Sequence, residues 1–125
     1  MTENILIIDT ETTGLDPSKG AKLIEVGAML YNVKEKVVVQ TLAFFLPCEE
    51  NPVQDINNIK VEWTNCNKNT SSAFAFLRDM AKNCYAIVAH NAEFDKKFLR
   101  TKTELNEEFW ARKWICTKKD FVWPV

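Results

Sequence analysis

The stretch that most constrains this chain is Ile5-Leu6-Ile7-Ile8, a continuous apolar run that is β-branched at three of its four positions and leads straight into two acids. Such a run reads as a strand buried on both faces, at the centre of a sheet. It passes into Asp9-Thr10-Glu11-Thr12-Thr13-Gly14, after which Gly14, Asp16-Pro17 and Gly20 mark a loop. Leu23 to Tyr31 resumes as a strand, with Leu23, Glu25, Gly27 and Met29 on one side and Ile24, Val26, Ala28 and Leu30 on the other. A polar turn over 32–36 separates it from a third strand, Val37 to Leu46, stopped by Pro47. Three consecutive strands with short links make an antiparallel meander.

Beyond it, Cys48 to Thr70 reads as irregular, with one short helical turn near Val61 to Trp63. Thr70-Ser71-Ser72 offers helix-capping side chains, and Phe74, Leu77 and Ala81 recur at helical spacing up to Asn83. Tyr85 to Ala89 is another short apolar strand. His90-Asn91 then opens a helix from about Ala92 to Lys102, with Phe94, Phe98 and Leu99 as its buried stripe. Trp114 to Thr117 reads as a last strand and Lys118 to Phe121 as the start of a helix. The order β-β-β-α-β-α-β implies an α/β fold: a mixed sheet, meander plus parallel strands, with helices packed on it. No repeat or linker divides residues 1–125, which read as a single domain.

Composition bounds the function classes. An apolar fraction of 46% suffices for a core without disulfide or metal staples. Cys48, Cys66, Cys84 and Cys116 are too scattered for a zinc knuckle or a disulfide scaffold and read as reduced, mostly buried thiols. No apolar run approaches membrane-spanning length and Met1-Thr2-Glu3-Asn4 lacks a basic signal stretch, so the expected residence is cytoplasmic, with no membrane partner. A net charge of −1 does not exclude a polyanion, because a site that holds divalent metals brings its own positive charge.

Asp9 and Glu11 leave the first strand two residues apart, so their side chains face one point. Two carboxylates aimed together repel unless a cation lies between them, and hard divalent ions prefer carboxylate oxygens. In isolation, Asp-x-Glu is more simply a loop with solvated acids, Asp9 capping the following turn. His90-Asn91-Ala92-Glu93-Phe94-Asp95 changes that balance, because it too follows an apolar strand and opens a helix. Asp95 falls in the first helical turn, where the helix dipole tolerates a carboxylate. With Phe94 pointing into the core, Asp95 would look along the sheet's edge. It reaches Asp9 and Glu11 if the strand from Tyr85 lies beside Ile5–Ile8.

Asp9-Thr10-Glu11-Thr12-Thr13-Gly14-Leu15 resembles the first motif of the DEDD exonuclease superfamily of RNase T and the polymerase III proofreading subunit. His90-Asn91-Ala92-Glu93-Phe94-Asp95 is similar to its second, and the order of elements matches that ribonuclease-H-like fold. The resemblance covers nearly the whole chain. It implies a 3′-5′ exonuclease acting on the 3′ ends of single-stranded DNA or RNA, with two Mg2+ or Mn2+ ions about 4 Å apart clamping the scissile phosphate. By the same resemblance Asp9 bridges both ions, Glu11 binds the one that activates water, and Asp95 serves the other. Glu11 and Thr12 match positions that hold the terminal 3′-hydroxyl, Leu15 a wedge between the last two bases, and Asn91 a residue near the terminal nucleotide. Read without the resemblance, Leu15 is equally an ordinary core residue and Asn91 a helix-opening one.

The match stops short of a third motif, which carries a fourth carboxylate and a His or Tyr general base. The single histidine, His90, lies inside the second motif, where it orients the loop by hydrogen bonds. Asp120 reads as a helix-start residue. Loss of a general base costs about 10²- to 10⁴-fold, so the chain is expected to be a fragment of a longer exonuclease or a short, impaired homologue. The apolar ending Phe121-Val122-Trp123-Pro124-Val125 favours a fragment that lacks its C-terminal part. Phe109, Trp110, Trp114 and Trp123 read as core rather than as base-stacking platforms. The resemblance also admits a homodimer, with the apolar tail as one surface that could pair across it. The competing class is a non-catalytic module on the same fold that binds nucleic acid or a partner protein.

Overall fold

The computed structural model describes residues 3–122; residues 1–2 and 123–125, Trp123 and the end of the apolar tail among them, lie outside the described part. One sheet is built from β1 (Asn4–Thr12), β2 (Leu23–Asn32), β3 (Val37–Phe45), β4 (Ala86–Ala89) and β5 (Lys113–Cys116), in the spatial order β3-β2-β1-β4-β5. The meander β1–β3 is antiparallel, whereas β4 runs parallel to β1 and β5 parallel to β4. This is the mixed sheet that the order of elements implies.

β1 is central, as its apolar run requires, but it is not buried on both faces. Leu6, Ile8 and Thr10 are buried, while Ile7 is 37% exposed and Asp9 is exposed. The reason is that three of the helices share one face. Phe74, Leu77 and Met80 of α3 (Thr70–Lys82), Phe98 and Leu99 of α4 (Ala92–Leu99) and Phe109 of α5 (Glu107–Trp110) join Leu6, Ile8, Val26 and Ile87 in one core. Each such large side chain, fully buried, contributes about 1.5–3 kcal/mol. On the other face, Ile24, Cys48 and Ile59 form a small cluster packed by Phe45 and Val61. A period-2 strand thus separates a core face from an open face, and both Asp9 and Glu11 belong to the open one.

Several boundaries differ from expectation. α3 is capped by Asn69, whose Oδ1 accepts from the Ser72 N–H at 3.1 Å, not by the hydroxyls that follow it. α4 stops at Leu99 rather than near Lys102, because the next turn tightens: the Thr101 and Lys102 N–H groups reach Phe98 and Leu99 carbonyls three residues back. Its buried stripe is Ala92, Asp95, Phe98 and Leu99, and Phe94 is only half-buried. Asp95 therefore points inward too, while Phe94 packs against the rim of the same core. Lys118–Phe121 forms no helix; the Asp120 carboxylate accepts the Cys116 N–H at 2.7 Å and closes a turn, so it is not a helix-start residue. α1 (Gln54–Asn57), α2 (Val61–Thr64) and α5 span four residues each, too short to leave a periodic signal.

The aromatic residues of the C-terminal third mostly pack, as the core reading expects. Phe109 is buried, and Trp110 stacks on Trp114 with centroids 5.8 Å apart, the Arg100 guanidinium lying 4.1 Å above Trp110. Phe121 and Val122, in contrast, are 51% and 100% exposed. Cys48, Cys84 and Cys116 are buried free thiols, whereas Cys66 is exposed. Among the described residues no helix is long and apolar enough to cross a membrane.

Candidate active site

Because β1 and β4 run parallel, their C-terminal ends open at the same edge of the sheet, the position where open α/β sheets bind ligands. Asp9 and Glu11 stand at the end of β1, on its open face. After β4 only His90 and Asn91 intervene before α4 begins, so Asp95 is delivered to the same end. There the Thr10 hydroxyl donates to Asp95 Oδ1 at 2.6 Å. Thr10 lies between Asp9 and Glu11 in sequence but projects to the core face, which fixes the third acid from the side opposite the other two.

The electrostatics mark these acids as a mutually repelling group. Burial pushes the Asp95 carboxyl up to about 6, against the Thr10 hydrogen bond that favours its charged form, and the nearby Asp9 charge pushes it further. Glu11 is also raised, first by burial, then by Asp9 and Glu25. Glu25, directly opposite Glu11 in the β1–β2 register, is raised by burial and by Asp9. Among the described residues the ion pair is Lys96–Glu93, and no cation pairs with Asp9, Glu11, Glu25 or Asp95. As they stand, no three acid, His or Cys side chains among the described residues encircle one point. Asp9 is exposed and Glu11 half-buried, so their side chains have room to turn. The donor set, carboxylates with no compensating cation, has the hard-oxygen chemistry that magnesium or manganese requires.

The remaining predicted residues surround this group. The Thr12 hydroxyl donates to the Gly14 carbonyl at 2.6 Å and the Thr12 carbonyl accepts from Asn57 Nδ2 at 3.0 Å. Leu15 is 81% exposed, which removes the core reading, and its carbonyl accepts from Lys97 Nζ at 2.9 Å, tying the loop to α4. A groove of about 980 Å³ runs from Leu15, past Lys19 and Lys22, to Pro47 and Glu49; Asp9, Glu11 and Asp95 do not line it. Asn91 adopts a left-handed conformation (φ 75°) at the start of α4, and its side chain makes no cap bond. Its carbonyl instead accepts from the Phe94 and Asp95 N–H groups. His90 Nδ1 lies 2.8 Å from Thr117 Oγ1, joining the loop after β4 to the end of β5, as its loop-orienting role requires.

Two residues here were not singled out from sequence. Glu25 could have been found by pairing the meander, since the face it shares with Gly27 and Met29 lies opposite Glu11. Asn57 left no signal, because it sits in a polar stretch with no periodicity.

A family model described as RNase T, exonuclease, matches residues 6–122. DNA polymerase III subunit epsilon of Rickettsia typhi is 35% identical over 109 residues, covering 80% of this chain and 44% of that protein. The same subunit of Rickettsia prowazekii is 33% identical with the same coverage. The chain therefore spans less than half the length of these curated relatives. Among solved structures, the metal-free E. coli ExoI–single-stranded DNA complex superposes with a TM-score of 0.74 at 15% identity, over 94% of this chain and 28% of that one. E. coli exonuclease I with a dA16 oligonucleotide gives 0.73 at 16%, over 93% and 28%. At such identity the likeness shows a shared fold. It agrees with the ribonuclease-H-like architecture expected from the order of elements.

Proposed function

Because the chain belongs to the RNase T exonuclease family, we propose that it is a metal-dependent 3′-5′ exonuclease domain that removes nucleotides from the 3′ ends of single-stranded DNA or RNA. The observation that carries this reading is the uncompensated acid group at the joint ends of β1 and β4. Asp9, Glu11 and Asp95 would hold two Mg2+ or Mn2+ ions, whose chemistry is to activate a water and to stabilise the departing 3′ oxygen. Thr10 holds the Asp95 carboxylate at the end of β1 that carries Asp9 and Glu11. Glu11 and Thr12 receive the terminal 3′-hydroxyl, which makes cutting start at an end. The exposed Leu15 offers an apolar edge against the last bases, where contact is sequence-tolerant. Asn91, its amide unused by the helix it opens, faces the terminal nucleotide.

Residues 96–125 hold no histidine or tyrosine to act as general base, and the one histidine is turned to Thr117. Turnover by these 125 residues is accordingly weak or absent.

Incubating the protein with Mn2+ and a labelled single-stranded oligonucleotide tests the proposal. Oligonucleotide binding that requires Mn2+ and is lost in Asp9→Ala, with at most a weak ladder of products shortened from the 3′ end, is the expected result. Oligonucleotide binding without shortening, unchanged in Asp9→Ala, selects the non-catalytic binding module instead.

A further inference from the structure

The segment between Cys48 and Thr70 carries a hydrogen-bond network that converges on a single carbonyl of the catalytic strand. The β1–β2 ladder shifts register between Glu11 and Thr12: Glu11 lies opposite Glu25, but Thr12 lies opposite Leu23, so Ile24 is an extra residue bulged out of β2. A bulge bends the strand that carries it and interrupts the ladder that would otherwise hold its partner. The partner residues on either side of the interruption are Glu11 and Thr12.

The Thr12 carbonyl, beside this interruption, accepts from Asn57 Nδ2 at 3.0 Å. Asn57 is itself held in place: its Oδ1 accepts from Asn51 Nδ2 at 2.9 Å and from the Ile59 N–H at 3.2 Å. Asn51 Nδ2 also donates to the Ile59 carbonyl at 2.8 Å. The left-handed Asn58 (φ 58°) ends α1 and turns the chain so that Ile59 can close this ring. α1 buries none of its residues, so packing does not hold it against β1. The asparagines do, and the amide they leave for another element goes to Thr12.

We propose that Asn57 is a positioning residue of the acid site: by holding the Thr12 carbonyl it fixes the end of β1 where the bulge at Ile24 interrupts the ladder with β2, and through that end the directions of Glu11 and Thr12. The proposal rests on the metal-dependent reading above. Groups bonded to metal ligands are typically worth about 10- to 100-fold in metal affinity or activity, and Asn57, bonded to the residue after Glu11, is expected at the lower end of that range.

The test compares Mn2+ affinity, measured by electron paramagnetic resonance on the whole chain, in the parent, Asn57→Ala and Asn32→Ala. Asn32 Nδ2 ties β2 to Asn4 at the far end of β1 with a 2.9 Å bond, so its loss costs a comparable tie away from the acids. Asn57→Ala is expected to weaken Mn2+ binding about tenfold while Asn32→Ala leaves it unchanged. Equal binding by folded Asn57→Ala, or equal weakening in both variants, overturns the proposal. Should Asn57→Ala fail to fold, Asn51→Ala, which removes the support behind Asn57 and its tie to Ile59 but leaves the Asn57 amide itself, carries the same comparison and the same two outcomes. A parent that binds no Mn2+ overturns the metal-dependent reading itself, and this proposal with it.

Discussion

Thr10 and Asp95 are joined across 85 residues of sequence by a buried 2.6 Å hydrogen bond between hydroxyl and carboxylate. The bond makes β1 serve the site from both faces: its open face presents Asp9 and Glu11, and its core face restrains the third acid. Thr10→Val keeps the branched shape and removes the donor, leaving a buried carboxylate without that partner. The expected cost is about 1–3 kcal/mol of stability near neutral pH, read by urea denaturation. The Asp95 carboxyl should also titrate higher than in the parent, because the bond lost is one that favours its charged form. An unchanged titration would show that the hydroxyl does not govern this acid.

The sign of the pH dependence follows from the same acid. Burial holds the Asp95 carboxyl at about 6 in the folded chain, against an ordinary value of 3.8. Between those values the folded state keeps a proton that the unfolded chain has released, so stability is full below the lower value and is lost as pH rises through the upper one. Glu11 and Glu25, both raised, act in the same direction. Without metal, the protein should therefore melt at a higher temperature near pH 4.5 than near pH 7.5, roughly a unit and a half either side of the transition. Asp95→Asn keeps an oxygen for Thr10 and removes the charge. It should be more stable than the parent near neutral pH by about 1–2 kcal/mol, a figure reduced for screening where the site meets solvent. Melting curves that run parallel for parent and variant across this range would contradict the assignment.

Metal binding should reverse that penalty. A divalent ion competes with the proton on Asp95, so Mn2+ should raise the melting temperature of the parent strongly above pH 6 and progressively less below it. Asp95→Asn should lose most of this response while remaining well folded. A response to Mn2+ that is independent of pH would place the ion elsewhere.

How much of this was legible in the sequence depended on whether the signal was local. The run Ile5–Ile8 announced a central strand because β-branched apolar residues do so wherever they fall, and the acids at its end came with it. That the strand has one open face was not legible, since covering the second face depends on helices from residues far away. α4 shows the same limit. Its existence followed from spacing, but the burial of Asp95 depends on Thr10, its partner on another element. Charge at a buried helical position runs against the usual pattern, and such departures gather at functional sites. Asn57 was invisible for the opposite reason: nothing in a polar segment says which of its amides meets a distant carbonyl.

Glu25 offers a last check on the acid group, from a residue outside the predicted ligand set. It lies directly across the β1–β2 ladder from Glu11, and both carboxyls are raised by burial and by Asp9. Like charges directly opposite on neighbouring strands destabilise a sheet by roughly 0.2–1 kcal/mol. Glu25→Gln removes one of them with little change in shape. The variant should gain about 0.5 kcal/mol near neutral pH, show no gain under acid conditions where both carboxyls are protonated, and bring the Glu11 carboxyl down toward its ordinary value. Thermal melts at the two pH values separate this from a packing effect, which would be the same at both. A loss of stability at neutral pH would mean that the Glu25 carboxylate is held by a favourable contact that outweighs the repulsion, and the account of these acids as an uncompensated group would then fail at this position.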